Sequence, residues 1–257
     1  MIDEVKISNA IIEKGLKRMR EITRVDVVIA GGGPSGLTAA YYLAKDNINV
    51  VLFERALKLG GGMPGGGNGY PFIVVQKTAL DILKEFDVNF TPYDEEYFIA
   101  DSLETTAKLT AKAIDAGAKI LNLISCEDVV LIDDRVQGVV VISTPIEMAG
   151  LHVDPLTVRS KAVIDATGHP SEVTRTLVKK GGVRLNTETG GVVGEKPMWA
   201  DFAEITIIEN TKEVYPGLFV CGMAANAVFG GPRMGPIFGG MLLSGKKLAK
   251  LIMENLK

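Results

Sequence analysis

The 257-residue chain is poor in cysteine, histidine and tryptophan, with two, two and one. Cys126 and Cys221 cannot build a disulfide framework and lack the paired spacing of a structural zinc site, so a reducing cytoplasm is the expected compartment. No sign of charge is in surplus: 28 Lys and Arg stand against 31 Asp and Glu, a formal net charge of −3. That balance argues against nucleic acid or an anionic membrane as partner. No segment offers the roughly 18 uninterrupted apolar residues that span a bilayer. The charge-broken start MIDEVKISNAIIEKGLKRMR does not read as a signal peptide. With no fixed-period repeat, low-complexity tract or Pro/Ser-rich hinge, residues 1–257 are expected to form one domain, with an inserted subdomain at about 88–160.

Glycine is plentiful, 29 residues, and more than half of it falls in three clusters at 31–36, 60–69 and 230–240. Clusters of this kind suit ligand-cradling loops better than a flexible linker. Helical spacing of Ile11, Ile12, Leu16, Met19 and Ile22 predicts a leading helix over 8–22, capped by Ser8 or Asn9. The run VDVVIA (25–30), a glycine turn, the stretch Pro34–Lys45 and INVVLFE (48–54) read as strand, turn, helix and strand. Helices are predicted at 73–86, 101–116 and 237–255. Strands are predicted at 118–124, 127–132, 136–143, 158–166 and 217–222, with a hairpin turning at Asp133-Asp134-Arg135. The pattern predicts an α/β protein: a three-layer, glutathione-reductase-like FAD/NAD-binding Rossmann-type fold with a central sheet and an α+β insertion.

Within GGGPSG, glycines 31, 33 and 36 satisfy G-x-G-x-x-G between a predicted strand and a predicted helix, and Glu54 closes the next strand. In that context the motif is a dinucleotide fingerprint. Gly31 serves the tight turn, Gly33 lets backbone approach a pyrophosphate, and Gly36 lets helix and strand pack closely. The helix N-terminus offers unpaired N–H groups to phosphate, and Glu54 can accept from an adenosine ribose. FAD and NAD both fit. Gly60-Gly61-Gly62, Ala166-Thr167-Gly168 and the strand ending at Gly222 resemble flavoproteins of the glutathione-reductase type. Those usually carry an acidic residue after that last glycine, where this chain has Met223.

The two histidines lie close in sequence, in LHVDPLTVRSKAVIDATGHP. His152 and Asp154 precede the 158–166 strand and His169 follows it, so they meet only if the chain folds back or another subunit contributes. Two such ligands leave metal positions open for substrate; equally, His169 can cap a strand end and Asp154 a turn before Pro155. Arg233, the one basic residue of the last glycine loop, suits a forked grip on a carboxylate or a surface ion pair.

Taken together, GGGPSG, FERALKLGGG, the H-V-D-P stretch, IDATGH and RMGPIFGGMLLSG resemble the thiamine thiazole synthase family from the leading to the closing helix. The resemblance implies a transferase that uses NAD as substrate, releases nicotinamide and condenses ADP-ribose with glycine and a sulfur source. Its product is an adenylated thiazole carboxylate, the precursor of the thiazole of thiamine. It implies that Ser35, Glu54, Arg55 and Gly62 contact ADP-ribose, that backbone near Cys126 meets the adenine, that Met223 lines the pocket and that Arg233 binds the glycine carboxylate. It further implies an iron(II) cofactor on Asp154 and His169, the aspartate from a neighbouring subunit of a homo-octamer. Fungal and plant members carry a sulfur-donating cysteine two residues before that aspartate. Here the place is His152, which can position sulfide or carry protons but donates no sulfur. The resemblance is therefore to the archaeal branch, which uses dissolved sulfide and turns over repeatedly. The fingerprint alone leaves two other readings: a flavin-dependent oxidoreductase of the glutathione-reductase or geranylgeranyl-reductase type, and a non-catalytic NAD-binding module.

Overall fold

The computed structural model describes residues 1–256. Helix α1 (Glu4–Ile22) starts earlier than its spacing predicts, because Asp3 Oδ1 accepts from the Val5 and Lys6 N–H groups and caps it. The expected strand–helix–strand unit follows as β1 (Val27–Ala30), α2 (Pro34–Lys45) and β2 (Val50–Glu54). The helix predicted over 73–86 is instead strand β3 (Phe72–Gln76), a 3-10 turn (Lys77–Ala79) and a short α3 (Leu80–Glu85). The β-branched run Ile73-Val74-Val75 prefers the extended form. Next come β4 (Phe90–Pro92), β5 (Tyr97–Asp101) and α4 (Ser102–Asp115), the last capped by Asp101.

The chain continues through β6 (Lys119–Asn122), β7 (Ile124–Ile132), β8 (Arg135–Ser143) and α5 (Thr144–Met148). The predicted 158–166 strand divides at Ser160-Lys161 into β9 (Leu156–Arg159) and β10 (Ala162–Asp165), which lie in different sheets. After it stand α6 (Glu172–Gly181), α7 (Ala200–Asn210), β11 (Lys212–Tyr215), β12 (Leu218–Val220), α8 (Met223–Phe229) and α9 (Gly239–Asn255). The hairpin turns at Asp133 and Asp134, both at positive φ as a two-residue turn between twisted strands requires.

The central sheet runs β11-β12-β10-β1-β2-β6, parallel except for the β11 edge. Its inner strands β12, β10, β1 and β2 are buried throughout and almost wholly apolar, because both their faces are covered. Val27, Ile29, Leu52, Ile164 and Phe219 face a core built with α2, α4 and α9. Val28, Ala30, Val51, Phe53, Val163 and Val220 face a second core under the β7-β8-β9 sheet. Each of the Val, Ile, Leu and Phe side chains contributes about 1.5–3 kcal/mol by leaving water. The three-layer α/β expectation thus describes the molecule. Residues 88–160, however, do not form one separate unit: β4 and β5 join β3 in a small sheet, β6 completes the central sheet, and β7 to β9 form the outer layer. Among the described residues no helix is long and apolar enough to cross a membrane.

Candidate active site

Strand order in the parallel sheet reverses between β1 and β10, and ligands of such sheets bind beyond the carboxyl ends of the strands at that switch. A cavity of about 620 Å³ opens there. The three fingerprint glycines divide the work as their chemistry demands. At Gly31 the backbone has φ +105, and a Cβ would stand 2.3 Å from the Ala166 carbonyl oxygen. At Gly36 a Cβ would stand 2.1 Å from the Gly31 oxygen, so this glycine serves packing and does not line the cavity. Gly33 lines the cavity and has no atom within 4 Å of an added Cβ. It begins α2 without a side-chain cap, leaving first-turn N–H groups for an anion. Ser35 Oγ, at the cavity wall, is buried with no hydrogen-bond partner in the chain.

Glu54 is buried and ties two turns together: Oε2 accepts from Gly32 N–H and Oε1 from Ala56 N–H, each at 2.8 Å. Glu54 also lines the cavity. Next to it Arg55 pairs with Glu172 of α6. Burial pushes the Glu172 carboxyl above the usual carboxylate range, against the pull of Arg55. Gly62 and Cys126 line the cavity too, as does Met223 at the start of α8.

His169 stands on a turn after β10 that a buried carboxylate locks. Asp165 accepts from the N–H and hydroxyl of both Thr167 and Thr174. The imidazole lines the cavity, and its Nδ1 lies 2.6 Å from Glu195 Oε1. Arg233 lines it too, on a loop stitched by backbone to the preceding segment: Lys196 N–H donates to Gly231 O at 3.0 Å, Arg233 N–H to Lys196 O at 3.2 Å. One cavity therefore gathers Gly31, Gly33, Ser35, Glu54, Arg55, Gly62, Cys126, His169, Met223 and Arg233. His152 and Asp154 do not line it; both are exposed between α5 and β9. Sequence reasoning misses Glu172 and Glu195, single carboxylates in no motif whose partners lie 117 and 26 residues away.

A profile of the Thi4 family matches residues 8–238. The thiamine thiazole synthase of Methanothermobacter thermautotrophicus is 54% identical over 256 residues, covering 100% of this chain and 99% of that protein. That of Pyrococcus furiosus is 50% identical, covering 100% and 99%. The crystal structure of Thermovibrio ammonificans THI4 superposes with a TM-score of 0.96 at 47% identity, covering 99% of this chain and 98% of that one. The chain belongs to the Thi4 family of thiamine thiazole synthases.

Proposed function

We propose that this chain consumes NAD, glycine and sulfide, releases nicotinamide and makes the adenylated thiazole carboxylate with iron(II) as cofactor. The observation that carries the reading is that one cavity is lined both by the phosphate-binding loop and by His169 and Arg233. The orphaned hydroxyl of Ser35, the open Gly33 and the uncapped α2 N-terminus suit the pyrophosphate. Glu54 holds the adenosine ribose, Arg55 the nearby ADP oxygens, and the backbone around Cys126 the adenine. Once nicotinamide has left, the ribose opens to a carbonyl that the amine of glycine attacks, while Arg233 grips the glycine carboxylate in a fork.

The donor set suits a ferrous ion. With Nδ1 of His169 engaged by Glu195, the other ring nitrogen is the one free to ligate. Among the described residues one chain offers no group of three metal-binding side chains. Asp154, exposed and away from its own chain's cavity, is suited to complete the site of a neighbour. The exposed stripe of Ile7, Ile11, Ile12 and Leu16 on α1 supports assembly of several copies, a homo-octamer in this reading. Iron(II) bound there supplies Lewis-acid polarisation and a template for the sulfur nucleophile. His152, carried in with Asp154, positions sulfide or moves its proton.

The sulfur comes from solution. Burial pushes the thiols of Cys126 and Cys221 well above their ordinary range, and the Asp165 carboxylate pushes both further, which disfavours the thiolate that a sulfur donor needs. Cys126→Ser and Cys221→Ala chains should therefore keep forming product from sulfide; loss of product in either, with the fold intact, would implicate that thiol as donor. Arg233→Lys should raise the KM for glycine about tenfold to a hundredfold, the worth of a forked charge-assisted pair. An unmoved KM would remove Arg233 from the carboxylate. Both free cysteines and ferrous chemistry suit a reducing cytoplasm.

The test is an anaerobic mixture of protein, NAD, glycine, sulfide and iron(II), weighed by mass spectrometry. Nicotinamide and the adenylated thiazole carboxylate are the expected products. A yellow protein that leaves NAD whole would favour the flavin-dependent oxidoreductase instead.

A further inference from the structure

We propose that Glu195 is a positioning residue: its carboxylate accepts the Nδ1 proton of His169 and fixes the tautomer whose Nε2 lone pair is directed to iron. The inference rests on the metal reading above and extends it to a residue outside every recognised motif. Three observations carry it. The two groups meet at 2.6 Å. The glutamate side chain is 18% exposed while the imidazole is 50% exposed, so the carboxylate forms the sheltered back of the site and the ring its open front. Both ends are held rigidly. His169 stands on the turn locked by Asp165, and the segment around Glu195 is bonded by Gly194 N–H to Ala227 O at 2.9 Å and by Trp199 N–H to Arg233 O at 3.0 Å.

The chemistry favours this order of charge and proton. A freely hydrated neutral imidazole prefers its proton on Nε2, which is the wrong form for a ligand at that atom. A carboxylate on Nδ1 reverses the preference and makes the ring a better donor, and losing such a partner typically costs 10–100-fold in metal affinity. The same segment reaches Arg233 through Lys196, whose carbonyl accepts from Arg233 N–H.

With only two histidines in the chain, the test is clean. Long-range proton–nitrogen spectra, recorded without metal in buffer well above the ordinary histidine range, report each ring's tautomer. His169→Ala identifies which signals belong to which ring. His169 should carry its proton on Nδ1 in the parent chain and on Nε2 in Glu195→Ala. In anaerobic iron(II) titrations, Glu195→Ala should bind 10–100-fold more weakly, while NAD affinity by calorimetry stays unchanged. Glu195→Gln, the same size and still an acceptor, should retain the tautomer and lose less iron affinity, which decides the matter if the alanine variant unfolds. Parent-like tautomer and iron affinity in Glu195→Ala, with iron lost in His169→Ala, overturns this inference alone. A His169→Ala chain that binds iron as the parent does overturns the metal reading and the inference with it.

Discussion

A Gly31→Ala chain should lose both nucleotide binding and a large share of its folding stability, whereas Gly33→Ala should lose the nucleotide and keep its unfolding midpoint. At residue 31 two costs add. The backbone sits at φ +105, where an L side chain is strained, and the new Cβ would lie 2.3 Å from the oxygen and 2.7 Å from the carbon of Ala166. Those atoms are backbone directly after β10, hydrogen-bonded into the central sheet, so relief means separating β1 from β10. A cost of about 4–5 kcal/mol is expected, against a total of about 5–15 for a natural domain. At Gly33 the backbone angle suits any residue and the space beyond is open. The methyl group would there occupy the volume assigned to pyrophosphate. Thermal unfolding and calorimetry with NAD separate the two effects. Parent-like NAD affinity in Gly33→Ala would mean that the phosphates do not approach this loop.

The second large effect concerns subunits. Asp154→Ala and His169→Ala should each abolish iron-dependent product, since each removes a proposed iron ligand, while NAD binding persists. Co-expressed as mixed oligomers, the two dead chains should regain activity. If aspartate and histidine come from different copies, random pairing brings an intact His169 and an intact Asp154 together in about a quarter of the sites. A site built within one chain would regain nothing, because no chain in the mixture holds both residues. The mixed sample thus reads out directly whether the exposed 150–155 segment completes a neighbour's cavity.

What the chain order made legible was local. The glycine fingerprint, the acidic residue ending β2 and the strand–helix–strand between them lie within one short stretch, and each glycine's separate duty follows from its place in the turn. What depends on distant pairing was not legible. In sequence β3 resembles the start of a helix because its apolar residues run into the helix-forming α3. Its extended form is held by β5 and by Pro236 and Phe238, far along the chain. α7, ADFAEITIIEN, carries exposed Phe202 and Ile205 as well as buried Ala203 and Ile207, so it lacks the one-sided stripe that announces a helix. β9 and β10 read as one strand because only Ser160-Lys161 interrupts the apolar run. Glu195 gave no signal at all: its meaning comes from His169, which the fold brings to it.

The central claim is that NAD is taken apart for its carbon while sulfur arrives from solution. The most direct measurement supplies isotopically labelled sulfide with NAD, glycine and iron(II) in the absence of oxygen, then counts thiazole, nicotinamide and the mass of the chain. Several labelled thiazoles per chain, nicotinamide in equal amount and a polypeptide of unchanged mass are expected. One unlabelled thiazole per chain from a polypeptide that has lost a sulfur, or NAD recovered whole, would contradict it.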